Sequence, residues 1–235
     1  MLPKIQQPLF EMTIPSTSQK VTFRPFTVRE EKLLLMAQQG NNDAEMIRAI
    51  SQVVNNCVQD DSFNVKRLAT FDLEYMFLKI RAKSVNNIIE VSYRDREDDK
   101  VYEFKVDIDD LEVEMPKAVK DTIKLSDDTG IKLKYPSADI IDKATEFEDN
   151  IEMLTFFIIQ CIDSIYQRED LYNAIDYTYD ELQDFVEQLP SKAFEEMNDF
   201  FTEIPKLHYE IKYINEQGND RVIVMDNIKD FFPWG

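Results

Sequence analysis

His208 is the single histidine in a chain of 235 residues, so any Ser-His-Asp or Cys-His device would have to be built around it. It alternates with Leu207, Tyr209 and Ile211 in a period-two run, on the polar side, where the expected surroundings are solvent. Nothing local marks a nucleophile. Cys57 and Cys161 are the only cysteines, and both fall among apolar helical positions, the setting of buried structural thiols. Two cysteines and one histidine fall short of a zinc site unless carboxylates complete it.

Carboxylates number 46, and that abundance makes any one pair unselective as a glycosidase-like acid and base. Asp107, Asp109 and Asp110 resemble a calcium loop superficially, but the required glycine and terminal glutamate spacing are missing. Asp127 and Asp128 suit a turn better than a metal. Only 4 glycines occur, so a phosphate-cradling loop is not expected. The residues therefore assign no catalytic, cofactor-binding or metal-ligating position. A carboxylate-dependent hydrolase is left as a remote alternative that would require a cleft with two facing acids.

Charge narrows the partners. The formal net charge is −19, and an acidic surface repels phosphate, which disfavours nucleic acid and anionic membranes. An acidic DNA mimic is the less favoured exception. The longest uncharged apolar stretch, Met153 to Ile162, is too short to span a bilayer. The absence of a secretory leader pattern and of a disulfide framework points to a reducing cytoplasm. Residues 1–36 carry +2, from Lys4, Lys20, Arg24, Arg29 and Lys32 against Glu11, Glu30 and Glu31, which leaves −21 for the rest. Lys20, Arg24 and Arg29 are thus candidate partner-binding residues. Phe231, Phe232 and Trp234 at the chain end are candidates too, because aromatics anchor interfaces; packing back on the body is their other reading.

The elements that position these residues follow from periodicity. Leu9 to Ile14 and Lys20 to Phe23 predict a hairpin, and Pro25 stops further pairing. Thr27 and Glu30 form a capping box opening a helix to about Gln39, with Gly40 as its stop. Helices follow over about Asp43–Val58, with Ile47, Ile50, Val54 and Cys57 on one stripe, and over Phe71–Lys83, capped by Thr70. Alternation from Ile89 to Tyr135 predicts an antiparallel sheet with one wet face. Ala138 to Ile165 reads as one or two helices, apolar nearly all round. Thr178 and Glu181 make a second capping box, Pro190 ends that helix, and Ser191 caps another ending near Glu203. Leu207 to Tyr213 and Arg221 to Met225 flank a turn at Gln217–Asp220. The fold class is α+β: an N-terminal β-hairpin, a helical block, a central antiparallel meander, a second helical block and a C-terminal β-hairpin. The corresponding regions are 1–87, 88–136 and 137–235, or one integrated domain.

Several blocks carry a resemblance: Met1–Phe10 (MLPKIQQPLF), Phe23–Ala37 (FRPFTVREEKLLLMA), the pair Asn56–Cys57, and Phe71–Leu78 leading into Ile80–Val85. In these blocks, and through to Asp230–Phe232, the chain resembles the T4-type baseplate protein family of contractile-tailed phages. That family includes baseplate hub subunits and hub assembly chaperones. The resemblance implies a non-enzymatic role: assembling the baseplate hub by binding hub or tail proteins in the host cytoplasm, with no cofactor. The alternative it leaves open is a permanent structural hub subunit in the virion baseplate, and it leaves oligomerisation open. Some relatives carry a CxxC knuckle in the last hairpin; Asn215, Glu216, Gln217 and Gly218 stand there in this chain, so no zinc is expected at that turn.

Overall fold

Hairpin signals and helix caps are local features, and most of them appear where their residues place them. The computed structural model describes residues 5–40, 42–60, 62–116, 120–144 and 147–231. Strands β1 (Phe10–Thr13) and β2 (Lys20–Phe23) precede helices α1 (Val28–Gly40), α2 (Asp43–Cys57) and α3 (Thr70–Ser84). Strands β3 (Ile88–Arg94), β4 (Val101–Asp107), β5 (Glu112–Glu114), β6 (Thr122–Lys124) and β7 (Thr129–Leu133) come next. Helices α4 (Ala138–Ala144) and α5 (Asn150–Cys161) lead to β8 (Ile162–Gln167) and β9 (Asp170–Asn173). Helices α6 (Tyr179–Glu187) and α7 (Ser191–Thr202) precede the last strands, β10 (Lys206–Ile214) and β11 (Asp220–Met225). All sheets are antiparallel, and the class is α+β.

The chain divides into two compact units: Met1–Glu114 with Lys206–Gly235, and Met115–Pro205. These cut across the three consecutive regions read from the sequence. The central strands are antiparallel as expected, yet they do not form one meander. Among the described residues, β3 and β4 pair only with each other, β5 joins β10 and β11, and β6 and β7 join β8 and β9. Alternation records which face of a strand is wet and says nothing about its neighbour.

In the first unit, α3 is the central element. Leu73, Met76, Phe77, Leu78 and Ile80 are all buried, at roughly 2 kcal/mol of burial free energy each. α3 packs against α2, β5 and β10. The β1–β2 turn is tied to it by Asp72, whose carboxylate accepts from the Ser16 amide and hydroxyl. Burial pushes the Asp72 carboxyl up, and the Ser16 hydrogen bonds pull it back. Ala69 occupies the cap position without a side-chain bond and Thr70 is already helical, which corrects the expected Thr70 cap. The tips of the β3–β4 and β10–β11 hairpins are laced together. Asp95 accepts from Glu97 N (2.8 Å), Tyr213 Oη (2.6 Å) and Arg221 Nε (3.1 Å). Glu97 accepts from Asn215 and Asn219, both at 2.8 Å. Gly218 takes φ +83° at that turn, a backbone conformation that side chains resist.

In the second unit the sheet order is β6-β7-β8-β9. Ile131, Leu133, Ile158, Ile159, Ile162 and Met197 are wholly or almost wholly buried in one cluster. The expected helix through Ile165 ends at Cys161 instead. Ile162 and Ser164 are buried while Asp163 is exposed, and Ile165 pairs with Ile131 on β7. β-branched isoleucines accept either geometry, and the available sheet edge decides. The Thr178 capping box closes in both directions. Ser191 begins α7 after Pro190 and makes no cap bond, another departure from the sequence expectation. Gly40 likewise remains the last helical residue of α1 rather than a stop beyond it.

Gly130 lies in β7. A Cβ there would sit 2.3 Å from Tyr166 Oη and 2.7 Å from the Ile123 carbonyl oxygen. The backbone oxygen cannot yield cheaply. Gly130→Ala should therefore destabilise the protein by about 2 kcal/mol, measured as a lowered urea midpoint; an unchanged midpoint would refute the close-approach argument.

Candidate partner-binding surface

The junction from Phe23 to Glu30 is built around one buried ion pair. Arg24 Nη2 lies 3.1 Å from Glu30 Oε1, and Glu30 is only 2% exposed. Arg24 Nη1 also donates to the Pro25 carbonyl at 2.9 Å. The Glu30 carboxylate accepts from the Thr27 amide (2.8 Å) and hydroxyl (2.6 Å). The capping box is thus modified: Thr27 Oγ1 donates to Glu30 and accepts from the Arg29 amide at 3.3 Å. Burial would raise the Glu30 carboxyl, but hydrogen bonds from Arg24 and Thr27, helped by the Arg24 charge, hold it at about 2. The Phe26 amide donates to Ser84 Oγ at 2.8 Å, which fixes the start of α1 against the end of α3.

This anchoring turns one face of α1 outward. Glu30 and Ala37 are buried and Leu33 and Leu34 half-buried, so they face the core. Val28, Leu35 and Met36 are 65%, 51% and 70% exposed. The spacing 28, 32, 35, 36 and 39 puts Val28, Lys32, Leu35, Met36 and Gln39 on one stripe. Arg29 is exposed on the flank of that stripe, and Lys20 is exposed at the start of β2.

The candidate residues therefore divide. Lys20 and Arg29 are free to meet a partner, whereas Arg24 is engaged internally. Phe231 is wholly buried, which corrects its reading as an exposed anchor: it packs back on the body. Phe232 and Trp234 lie outside the described residues. Charge and aromatic content did not single out Val28, Leu35 and Met36, which the structure leaves exposed. Their signal was an apolar run continuing round the helix, which leaves some side chains without a core to enter.

The residues weighed for chemistry have the following surroundings. His208 is half-buried between Glu114 and Glu210, 3.6 Å from a carboxylate oxygen of each. Asp107 accepts from the Asp109 amide at 2.9 Å and from Asn87 at 3.0 Å. Asp128 accepts from Ser126 Oγ and Arg168 Nε. Cys57 and Cys161 are buried free thiols, pushed up by burial to about 11 and about 12. Among the described residues, no three His, Cys, Asp or Glu side chains are grouped to hold a metal. A cleft of about 660 Å³ in the second unit is lined by Asp121, Glu196, Asp199 and Glu203, with Lys120 beside them.

A model of one protein family, described as T4 bacteriophage base plate protein, matches residues 7–233. No curated protein and no solved structure matches the chain.

Glu30→Gln should cost about 3 kcal/mol at pH 7, because it leaves the Arg24 charge half-buried without its counter-ion. The folded carboxyl at about 2 lies below its ordinary 4.5, so its contribution is complete above pH 4.5 and is lost as pH falls towards 2. Denaturant unfolding of both proteins across that range should show the gap narrowing as the medium becomes acidic. A gap independent of pH would contradict the pairing.

Proposed function

The chain belongs to the T4 bacteriophage base plate protein family, and we propose that it acts in baseplate hub assembly by binding hub components, without catalysing a reaction. The observation that carries this reading is the family match over residues 7–233, nearly the whole chain. The family assignment makes other baseplate and tail proteins its partners. The finer role, a hub assembly factor working in the host cytoplasm, is our reading.

The α1 stripe supplies the physical means. Val28, Leu35 and Met36 offer apolar area, Lys32 and Arg29 add positive charge at its centre and one edge, and exposed Glu31 lies on the other edge. Such a face would gain most by entering an apolar groove with an acidic rim. The remaining acidic surface keeps the protein soluble and discourages unwanted association. A second reading, a permanent hub subunit, is favoured by the family's description as a base plate protein. Mass spectrometry of purified particles separates the two: an assembly factor is absent from them and a subunit is present.

Co-expression with hub components tests the surface. A Val28→Asp, Met36→Asp double variant should reduce the co-purified complex by roughly tenfold or more, and an Arg29→Glu, Lys32→Glu variant should weaken it in a salt-dependent way. Both substitute exposed residues, so thermal unfolding should change by less than about 0.5 kcal/mol. Folded variants that co-purify as well as the parent would exclude α1 as the binding surface.

A further inference from the structure

We propose that the groove between α5 and α6 in the second unit docks a basic segment of another protein through a large apolar side chain. This surface is separate from the α1 stripe and goes beyond the hub-binding role assigned above. Its floor is aromatic: the Phe147 and Phe156 ring centroids lie 5.0 Å apart, and those of Phe156 and Tyr179 lie 6.3 Å apart. Ile151 rises from α5 on one side, and Gln183 and Glu187 from α6 on the other. The space encloses about 580 Å³, within the range of roughly 300–1,000 Å³ typical of ligand pockets. Ile151 is 72% exposed beside this floor, an apolar side chain with no cover of its own.

Charge selects the occupant. From residue 147 to 189 the chain has eleven acidic residues and one basic residue, Arg168, which is already paired with Asp128 at 3.1 Å. Glu152 and Glu187 stand at the groove itself. Asp149 and Glu152 are accounted for by the α5 N-terminus, where negative charge is favourable. Glu187 ends α6, where negative charge opposes the helix dipole, and the hydrogen bond it accepts from Gln183 Nε2 at 2.8 Å brings no positive charge. A cationic partner would offset that cost. A second copy of this chain fits poorly, since each copy carries −19. The fitting partner is a different protein that presents Lys or Arg flanking an aromatic or branched aliphatic anchor.

The test uses the full chain and two fluorescent probe peptides. Both share one amphipathic helical design with Leu and Phe anchors; one is flanked by lysines and the other by glutamates. Fluorescence anisotropy should show the lysine peptide binding at least roughly tenfold tighter, with affinity falling as salt rises. Ile151→Asp should weaken it by about tenfold or more, and Glu152→Lys with Glu187→Lys should invert the preference between peptides. Arg29→Glu with Lys32→Glu should leave peptide binding unchanged, so failure of the α1 surface and failure of the groove are distinguishable. The proposal is overturned by no binding of the lysine peptide, by equal binding of both, or by an Ile151→Asp protein with native circular dichroism and parental affinity. Sedimentation revealing a dimer that Ile151→Asp dissolves would also overturn it, in favour of a second copy.

Discussion

Three residue pairs hold the first unit closed: Lys206 on Glu114, Leu207 on Val113 and His208 on Glu112. The chain leaves this unit after Glu114 and returns to it at Lys206, so the whole second unit is inserted between two adjacent paired strands. Joining strands separated by about ninety residues costs roughly 4 kcal/mol of closure entropy for a flexible loop. Burial answers that cost, because Leu207, Ile211 and Leu111 are buried and α3 packs against both β5 and β10. The Asp95, Tyr213 and Arg221 network then fixes the far end of β10–β11. Rings of Tyr102 and Phe104 pack on Tyr213 at 4.8 and 5.1 Å, so the same contact is both polar and apolar.

The arrangement gives the protein two surfaces of opposite character, one in each unit. The first unit presents an apolar stripe with Lys32 at its centre and Arg29 and Glu31 at its edges, held outward because Arg24 and Glu30 anchor the inner side of the same helix. Arg24 therefore positions the surface without belonging to it. The second unit presents an aromatic groove bordered by Glu152 and Glu187. Surfaces that differ in charge discriminate between partners better than two alike.

Local signals held for hairpins and for the Thr178 box, while the cap and stop readings at Thr70, Ser191 and Gly40 missed by one residue or lacked the side-chain bond. The hairpin from Phe10 to Phe23, the Thr178–Glu181 box and the closing hairpin all involve partners close along the chain. Signals that need a distant partner misled. Cys161 to Ile165 has a helical stripe and also a strand pattern, and β7 decided between them. Gly130 shows the same dependence: its constraint is the approach of Tyr166 and the Ile123 carbonyl, which lie on other strands. Charge asymmetry drew attention to the first helix and its approach, but only burial could separate Arg24 from Arg29 or send Phe231 to the core.

The amino-acid order alone determined the α+β class, the hairpins, most helix limits, the acidic surface and the family blocks. These depend on periodicity, caps, turns and side-chain charge, all carried by residues near one another in the chain. The tertiary structure alone decided which strands share a sheet, where one unit interrupts the other, and which apolar side chains stay outside. Those outcomes rest on competition among distant segments for a limited buried area. His208 shows the division: its alternation placed it on a strand, while its setting between Glu114 and Glu210 exists only because β10 found β5.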